Sequence, residues 1–344
     1  VHVDHTQLSP EEQLAHFTQA RRIFDAEGIR FSGFRCPYLR WSEGTLSALS
    51  QLGFTYDSSQ ALFWDVAHNS ATDAYKRVLA FYGAQPASEY PALPSLEGKL
   101  VRIPYSLPDD EAIDGRVVLD SPDRAAELWM AVLQQTYDLG ELFTVGLHPE
   151  RISLCQTPLS SVLTAARDFS PPTWIARLDE IATWWRARTD TTVEVIKVAE
   201  GQYKVTVTGP PGVVVLVSKV NLDVSTQPWW GKFELVKNLT FTAWADRRPV
   251  VGVPPDNSAQ LIVFLRQQGY IVETTSNPQD YSIYLDHTHL DSYRGRDLLV
   301  KLEAEDVPLL RLGRWPDGAR SALAVTGDID ALTLWDYGLR FWGK

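Results

Sequence analysis

Apolar side chains recur at helical spacing along residues 9–26, with Leu14, Phe17, Ala20 and Phe24 falling on one stripe. Ser9, Pro10 and Glu12 stand just ahead of that stripe as cap, first helical residue and closing member of a capping box, so a helix is predicted there. The same punctuation returns at Ser42, before Leu46 and Leu49, and at Ser121-Pro122, before Leu128 and Val132. Between these helices lie short continuous apolar runs at 100–103 and 143–147. After Pro171-Pro172 a further helix is predicted from Ile175, Leu178, Ile181, Ala182 and Trp185. Short buried strands alternating with capped helices predict βα units over residues 1–190, hence a parallel sheet or barrel.

From about residue 192 the texture changes to alternating valines (Val193, Val195, Val205, Val207), a turn at 209–212 and the run 213–217. A β-rich domain is therefore expected over 191–252. A mixed connecting segment follows over 253–310, with a helix over 261–266 capped by Asn257 or Ser258 and stopped by Gly269, and strands at 270–273 and 281–285. Residues 311–344 carry the run 322–326, apolar on both faces as a central parallel strand should be, and it leads directly into Asp328 and Asp330.

The chain has 344 residues and a formal net charge of −11, which disfavours nucleic acid as a partner and suits a neutral or cationic substrate. No run approaches the roughly 18 apolar residues of a membrane span. Two cysteines, Cys36 and Cys155, rule out a disulfide framework and leave the compartment undecided. Residue 1 is Val, which leaves room for a preceding segment such as a signal peptide; the location is unknown, with cell envelope or secreted slightly favoured over cytoplasmic. The 12 tryptophans suit either a core or sugar stacking.

Four constellations carry candidate chemistry. His2 and His5, three apart, have side chains able to share one metal. Asp328 and Asp330 follow a predicted strand, where barrel active sites are built, and two carboxylates there can divide the roles of cation ligand and base. The segment Arg35-Cys36-Pro37-Tyr38 sets a guanidinium beside a rigid turn, suited to orienting a carboxylate. His148 ends the apolar run 143–147 and so stands at a predicted strand end. A separate run, Asp286, His287 and His289, offers a rival chelating set on alternate residues.

Taken together, the paired aspartates, the histidine pair, the Arg-Cys-Pro-Tyr segment, the late Leu147-His148 pair and the Leu-Gly-Phe-Thr-Tyr-Asp-Ser-Ser run at 52–59 resemble the polysaccharide deacetylase family. The resemblance covers roughly residues 1–190 and 310–336. It implies an α/β fold, a distorted (β/α) barrel of the deacetylase type with the β-rich domain added. It also implies an enzyme, a metal-dependent hydrolase removing acetyl groups from an acetylated amino-sugar polysaccharide or other glycan. By that resemblance His2, His5 and Asp330 would hold a divalent metal ion, zinc by ligand type, with cobalt, nickel or manganese as alternatives. Asp328 would be the base, Arg35 its orienting partner and His148 the general acid, while Tyr38, Leu147 and Trp64 would contact substrate. The family's aspartate strand normally comes first. Here either an upstream strand precedes Val1 or, as favoured, the strand at 322–326 completes the barrel. The alternative function is a catalytically silent carbohydrate-binding homologue.

Overall fold

A computed structural model describes residues 3–119, 123–286 and 295–328. The first helix spans Pro10–Ala26, with the Ser9 hydroxyl accepting from the Glu12 amide and the Glu12 carboxylate accepting from the Ser9 amide. Its predicted apolar stripe is only partly used. Phe17 is buried, whereas Phe24 lies 42 % exposed and packs at a tilt against Phe31, ring centres 5.1 Å apart. Helices Glu43–Gln51 and Asp123–Leu139 follow the other start signals, and the second buries Leu128, Trp129, Val132 and Leu133 on one face.

The first part of the chain holds three small sheets built mainly of parallel strands. One runs in the order Gly33–Phe34, Tyr56–Asp57, Leu100–Arg102, Ser95–Glu97; its last pair is antiparallel. A second is Gln85–Pro86, Ala61–Phe63, Tyr105–Leu107. The third places Ser321–Gly327 between Leu142–Leu147 and Thr173–Ile175, parallel to both. The register runs from Ala322 opposite Leu142 to Gly327 opposite Leu147, and Ala322, Leu323 and Ala324 are at most 1 % exposed. Small and apolar side chains on both faces let this strand sit under helices on either side.

These sheets do not close into a barrel, which corrects the expected (β/α) barrel. Closure needs an unbroken ladder of hydrogen bonds around the ring. Strands such as Gly33–Phe34 and Tyr56–Asp57 have two residues each and extend it no further. Where Tyr105–Leu107 runs beside Leu142–Leu147, the Thr144 amide donates to the Ser106 hydroxyl at 3.3 Å rather than to a backbone carbonyl. Ile175 is likewise corrected: Thr173–Ile175 is a strand, because Ser321–Leu323 offers it a backbone partner, and the helix begins only at Leu178–Thr189.

The rest of the chain forms two four-stranded antiparallel sheets and one small parallel sheet. Thr192–Ala199, Gln202–Thr208, Thr240–Trp244 and Asn221–Leu222 make the first. Gln227–Trp230, Phe233–Val236, Val215–Ser218 and Leu309–Leu312 make the second, so a strand from beyond residue 252 belongs to it. Val272–Thr274, Arg248–Val253 and Tyr281–Tyr284 make the parallel sheet, with helix Ala259–Gln267 crossing between the first two in sequence. Helix Gly295–Ala304 is tied back to the first part by Arg296, which donates to both oxygens of Glu141 at 2.8 and 2.9 Å. A bidentate pair this deeply buried fixes orientation as well as contact.

Candidate functional site

The carboxyl ends of four parallel strands open onto one cleft of about 400 Å³. Arg35 follows Gly33–Phe34, Asp109 follows Tyr105–Leu107, His148 follows Leu142–Leu147 and Asp328 follows Ser321–Gly327, and all four line it. Loops at strand carboxyl ends are where α/β folds place ligands.

Asp328 continues the register of its strand, its amide donating to the Leu147 carbonyl at 3.0 Å, and its side chain is exposed at the cleft. Arg35 is half-buried. Its Nη1 donates to Thr326 Oγ1 at 2.8 Å, its Nε to the Ser58 carbonyl at 3.0 Å and its Nη2 to Ser58 Oγ at 3.1 Å, while its guanidinium lies over the Tyr105 ring at 4.4 Å. It makes no ion pair with Asp328 within 4.0 Å among the described residues. Arg35 thus holds the strand two residues before the carboxylate.

His148 has the most developed surroundings. Its amide donates to Asp110 Oδ2 at 2.5 Å and its Nδ1 meets Asp110 Oδ1 at 2.9 Å. The Asp110 carboxylate, aided by Asp328, pushes the imidazole up to about 9 against the desolvation that opposes it, so the ring is charged at neutral pH. With Nδ1 engaged by Asp110, Nε2 is the ring's remaining donor. Asp109 next door is buried, and burial pushes it up to about 6 although the Ala112 amide and the Tyr105 hydroxyl donate to it at 2.7 and 2.8 Å. Tyr105 reaches that position only over a glycine: a Cβ on Gly146 would fall 1.7 Å from its Oη.

Tyr38 stands at the cleft rim, 43 % exposed, with Phe81 at 5.7 Å. Tyr38 and Leu39 both hold left-handed backbone conformations, with φ of 60° and 55°. Two consecutive non-glycine residues in that region cost about 1–3 kcal/mol each, and such strain tends to collect at sites. Leu147 also lines the cleft. Trp64 does not. It is 2 % exposed within the core that includes Leu62, Val66 and Tyr75.

His2 and Asp330 lie outside the described residues, as do His287 and His289 of the rival run. His5 is described, and it is not among the residues that line the cleft. Its ring packs 4.8 Å from Phe17 and 6.2 Å from Phe34, and burial holds it below the ordinary imidazole range. Consecutive side chains on an extended backbone leave by opposite faces, so His5 shares the helix side of the strand with Phe34 while Arg35 enters the cleft. Asp4 beside it accepts from Arg40 at 2.8 Å and from the Thr6 amide at 3.0 Å. Among the described residues no group of three or more His, Cys, Asp or Glu side chains is placed to hold a metal.

Neither cysteine is poised as a nucleophile. Burial pushes both thiols up to about 12, aided by Asp57 at Cys36 and by Asp110 at Cys155. Reading strand ends alone missed Asp110, Asp109, Tyr105 and Ser58. The signal for the first two was present in Leu107-Pro108-Asp109-Asp110, two carboxylates directly after an apolar run.

Comparison with protein-family models, with curated proteins and with solved structures returned no match.

Proposed function

We propose that this cleft hydrolyses acetyl groups from an amino-sugar polymer or related glycan, in the manner of the polysaccharide deacetylases that the sequence resembles. The observation that carries the reading is the pairing of His148 with Asp110 in a cleft that also holds Asp328. An imidazole kept charged up to about pH 9 is suited to protonate a departing amine, the hardest leaving group in amide hydrolysis. Asp328, exposed in the same cleft, would take the proton of the attacking water. Arg35 would hold the end of the Asp328 strand through Thr326 and place a fixed positive charge near the developing oxyanion. Tyr38, 43 % exposed at the rim, would contact the sugar, and Leu147 would give an apolar surface for the acetyl methyl. The net charge of −11 is compatible with a neutral polymer that becomes cationic as amines are released.

The test is acetate release from an N-acetylglucosamine oligomer, in metal-free and in zinc-supplemented buffer. His148→Ala is expected to lower turnover by roughly 10²- to 10⁴-fold, the usual contribution of a positioned acid. Wild-type turnover in that variant would overturn the role of His148. Oligomer binding by the wild-type protein with no acetate release in either buffer would instead identify a silent glycan-binding protein.

A further inference from the structure

The face that buries the first helix, Pro10–Ala26, is left uncovered before the helix ends. Gln13 and Phe17 are buried, and Ala20 and Phe24 continue that face at spacings of three and four. Every residue from 19 to 31 is nevertheless exposed, Ile23, Phe24, Ile29 and Phe31 among them. The Ile29 amide donates to the Phe24 carbonyl at 2.9 Å, so the chain turns back and sets Ile29 beside the helix end. What ties this arm to the body is slight. The Arg21 guanidinium donates to the Leu52 carbonyl, and Phe24 meets Phe31 at 5.1 Å, which meets the buried Phe54 at 5.4 Å. Most helical stability comes from a packed face, and the end of this helix has no buried side chain. Neighbouring apolar side chains left in water mark an interaction surface.

Charge indicates what covers the arm. It carries Arg21, Arg22 and Arg30 against Asp25 and Glu27, close to balance in a chain whose net charge is −11. Arg21 and Asp25 approach each other at 3.7 Å, whereas Arg22, Glu27 and Arg30 make no ion pair among the described residues. An anionic lipid surface would call for a basic rim without the two carboxylates. Both signs around one apolar patch suit a surface with the same pattern inverted, and a second copy supplies it by two-fold rotation. Near balance also relieves, at this one place, the repulsion between two chains of the same net charge.

We propose that residues 19–31 form the interface of a two-fold symmetric homodimer, its axis passing beside Ile23. Ile23, Phe24, Ile29 and Phe31 cover their counterparts, and Glu27 meets an arginine of the second copy, Arg22 or Arg30. The arm joins the amino end of strand Gly33–Phe34, whose carboxyl end opens onto the cleft. The inference is independent of the deacetylase reading, since it uses none of the cleft residues. The patch is small beside the roughly 800 Å² per partner of a stable interface, so the dimer is weak and reversible, half-associated at roughly 10–100 μM.

The test is sedimentation velocity of the full chain from about 1 to about 300 μM, which spans that range. The wild type is expected to pass from monomer to dimer, and Phe24→Glu to stay monomeric with native circular dichroism. A residue near a two-fold axis meets its own copy, so Ile23→Cys is expected to yield a disulfide-linked dimer on mild oxidation. The native thiols, Cys36 and Cys155, are both buried, and Asp246→Cys, at an exposed position on the β-rich part, is the control. A wild type monomeric throughout, a dimer that survives Phe24→Glu, or cross-linking of Asp246→Cys equal to that of Ile23→Cys would each overturn the proposal. Binding of a monomeric wild type to phosphatidylglycerol vesicles would overturn it in favour of a lipid surface.

Discussion

Arg35 and Thr326, separated by 291 positions in the chain, share a hydrogen bond of 2.8 Å from the guanidinium to the hydroxyl. That bond joins the end of the strand Gly33–Phe34 to the end of the strand Ser321–Gly327 across the mouth of the cleft. Thr326→Val keeps the shape of the side chain and removes the acceptor. A hydrogen bond to a charged donor at a half-exposed site contributes about 1–2 kcal/mol, so the urea midpoint of the variant is expected to fall accordingly. An unchanged midpoint would mean that Ser58 alone holds Arg35.

The His148–Asp110 pair makes stability and proton transfer depend on pH in a stated direction. The imidazole is raised from 6.5 to about 9 in the folded protein, chiefly by its hydrogen bond to Asp110. A group whose folded value is raised supports the fold fully below its unfolded value, here below about 6.5, and that support is lost as pH rises through about 9. NMR titration of the His148 ring is expected to show the high midpoint, and Asp110→Asn to bring it back toward 6.5. Under the proposed function, acetate release declines above about pH 9 in the wild type and at lower pH in Asp110→Asn. A His148 midpoint near 6.5 in the wild type would contradict the geometry.

Trp64 gives a clean separation between packing and recognition. It is 2 % exposed in the core, so Trp64→Ala is expected to cost about 3–5 kcal/mol as a cavity-forming change. Under conditions where the variant remains folded, its affinity for an N-acetylglucosamine oligomer should match the wild type. A selective loss of oligomer affinity with little loss of stability would place Trp64 on the substrate path. Tyr38→Ala is expected to do the reverse, since the ring is 43 % exposed at the rim.

Leu323 lies at the centre of the inserted strand, paired with Phe143 on one side and Ile175 on the other, and is fully buried. Leu323→Ala is expected to cost about 2–5 kcal/mol, read from the shift in the thermal or urea transition. A shift below about 0.5 kcal/mol, the range of surface changes, would mean that the strand is not a core element.

Local signals were readable wherever one residue type has one physical use. Ser9, Pro10 and Glu12 specify a helix start because each satisfies an orphan backbone group or fits the first turn, and that geometry is present. The run 322–326 could be recognised as a central strand because its apolar residues leave no solvent face. Sheet closure was not readable, since it depends on ladder bonds between elements rather than on any element's own pattern, and Ser106 occupies one such junction. Ile175 has helical spacing to Leu178 and Ile181, but Leu323 supplies a backbone partner that periodicity does not encode. Asp110 was overlooked because a carboxylate at a helix start has an ordinary capping use, the one that its neighbour Asp109 serves toward the Ala112 amide. The packing of His5 against Phe17 and Phe34 was not readable either, because a histidine pair near a strand says nothing about which side of the strand it packs on.

The strand Ser321–Gly327 enters between two neighbours that are made long before it. On a ribosome adding about 5–20 residues per second, Leu142–Leu147 and Thr173–Ile175 emerge on the order of ten seconds before the strand that joins them. Through that interval each presents an unpaired edge and an apolar face, the features that invite pairing with another chain. The first part of the molecule therefore matures late although its residues come early, and its vulnerable period is set by the rate at which the intervening segment is synthesised.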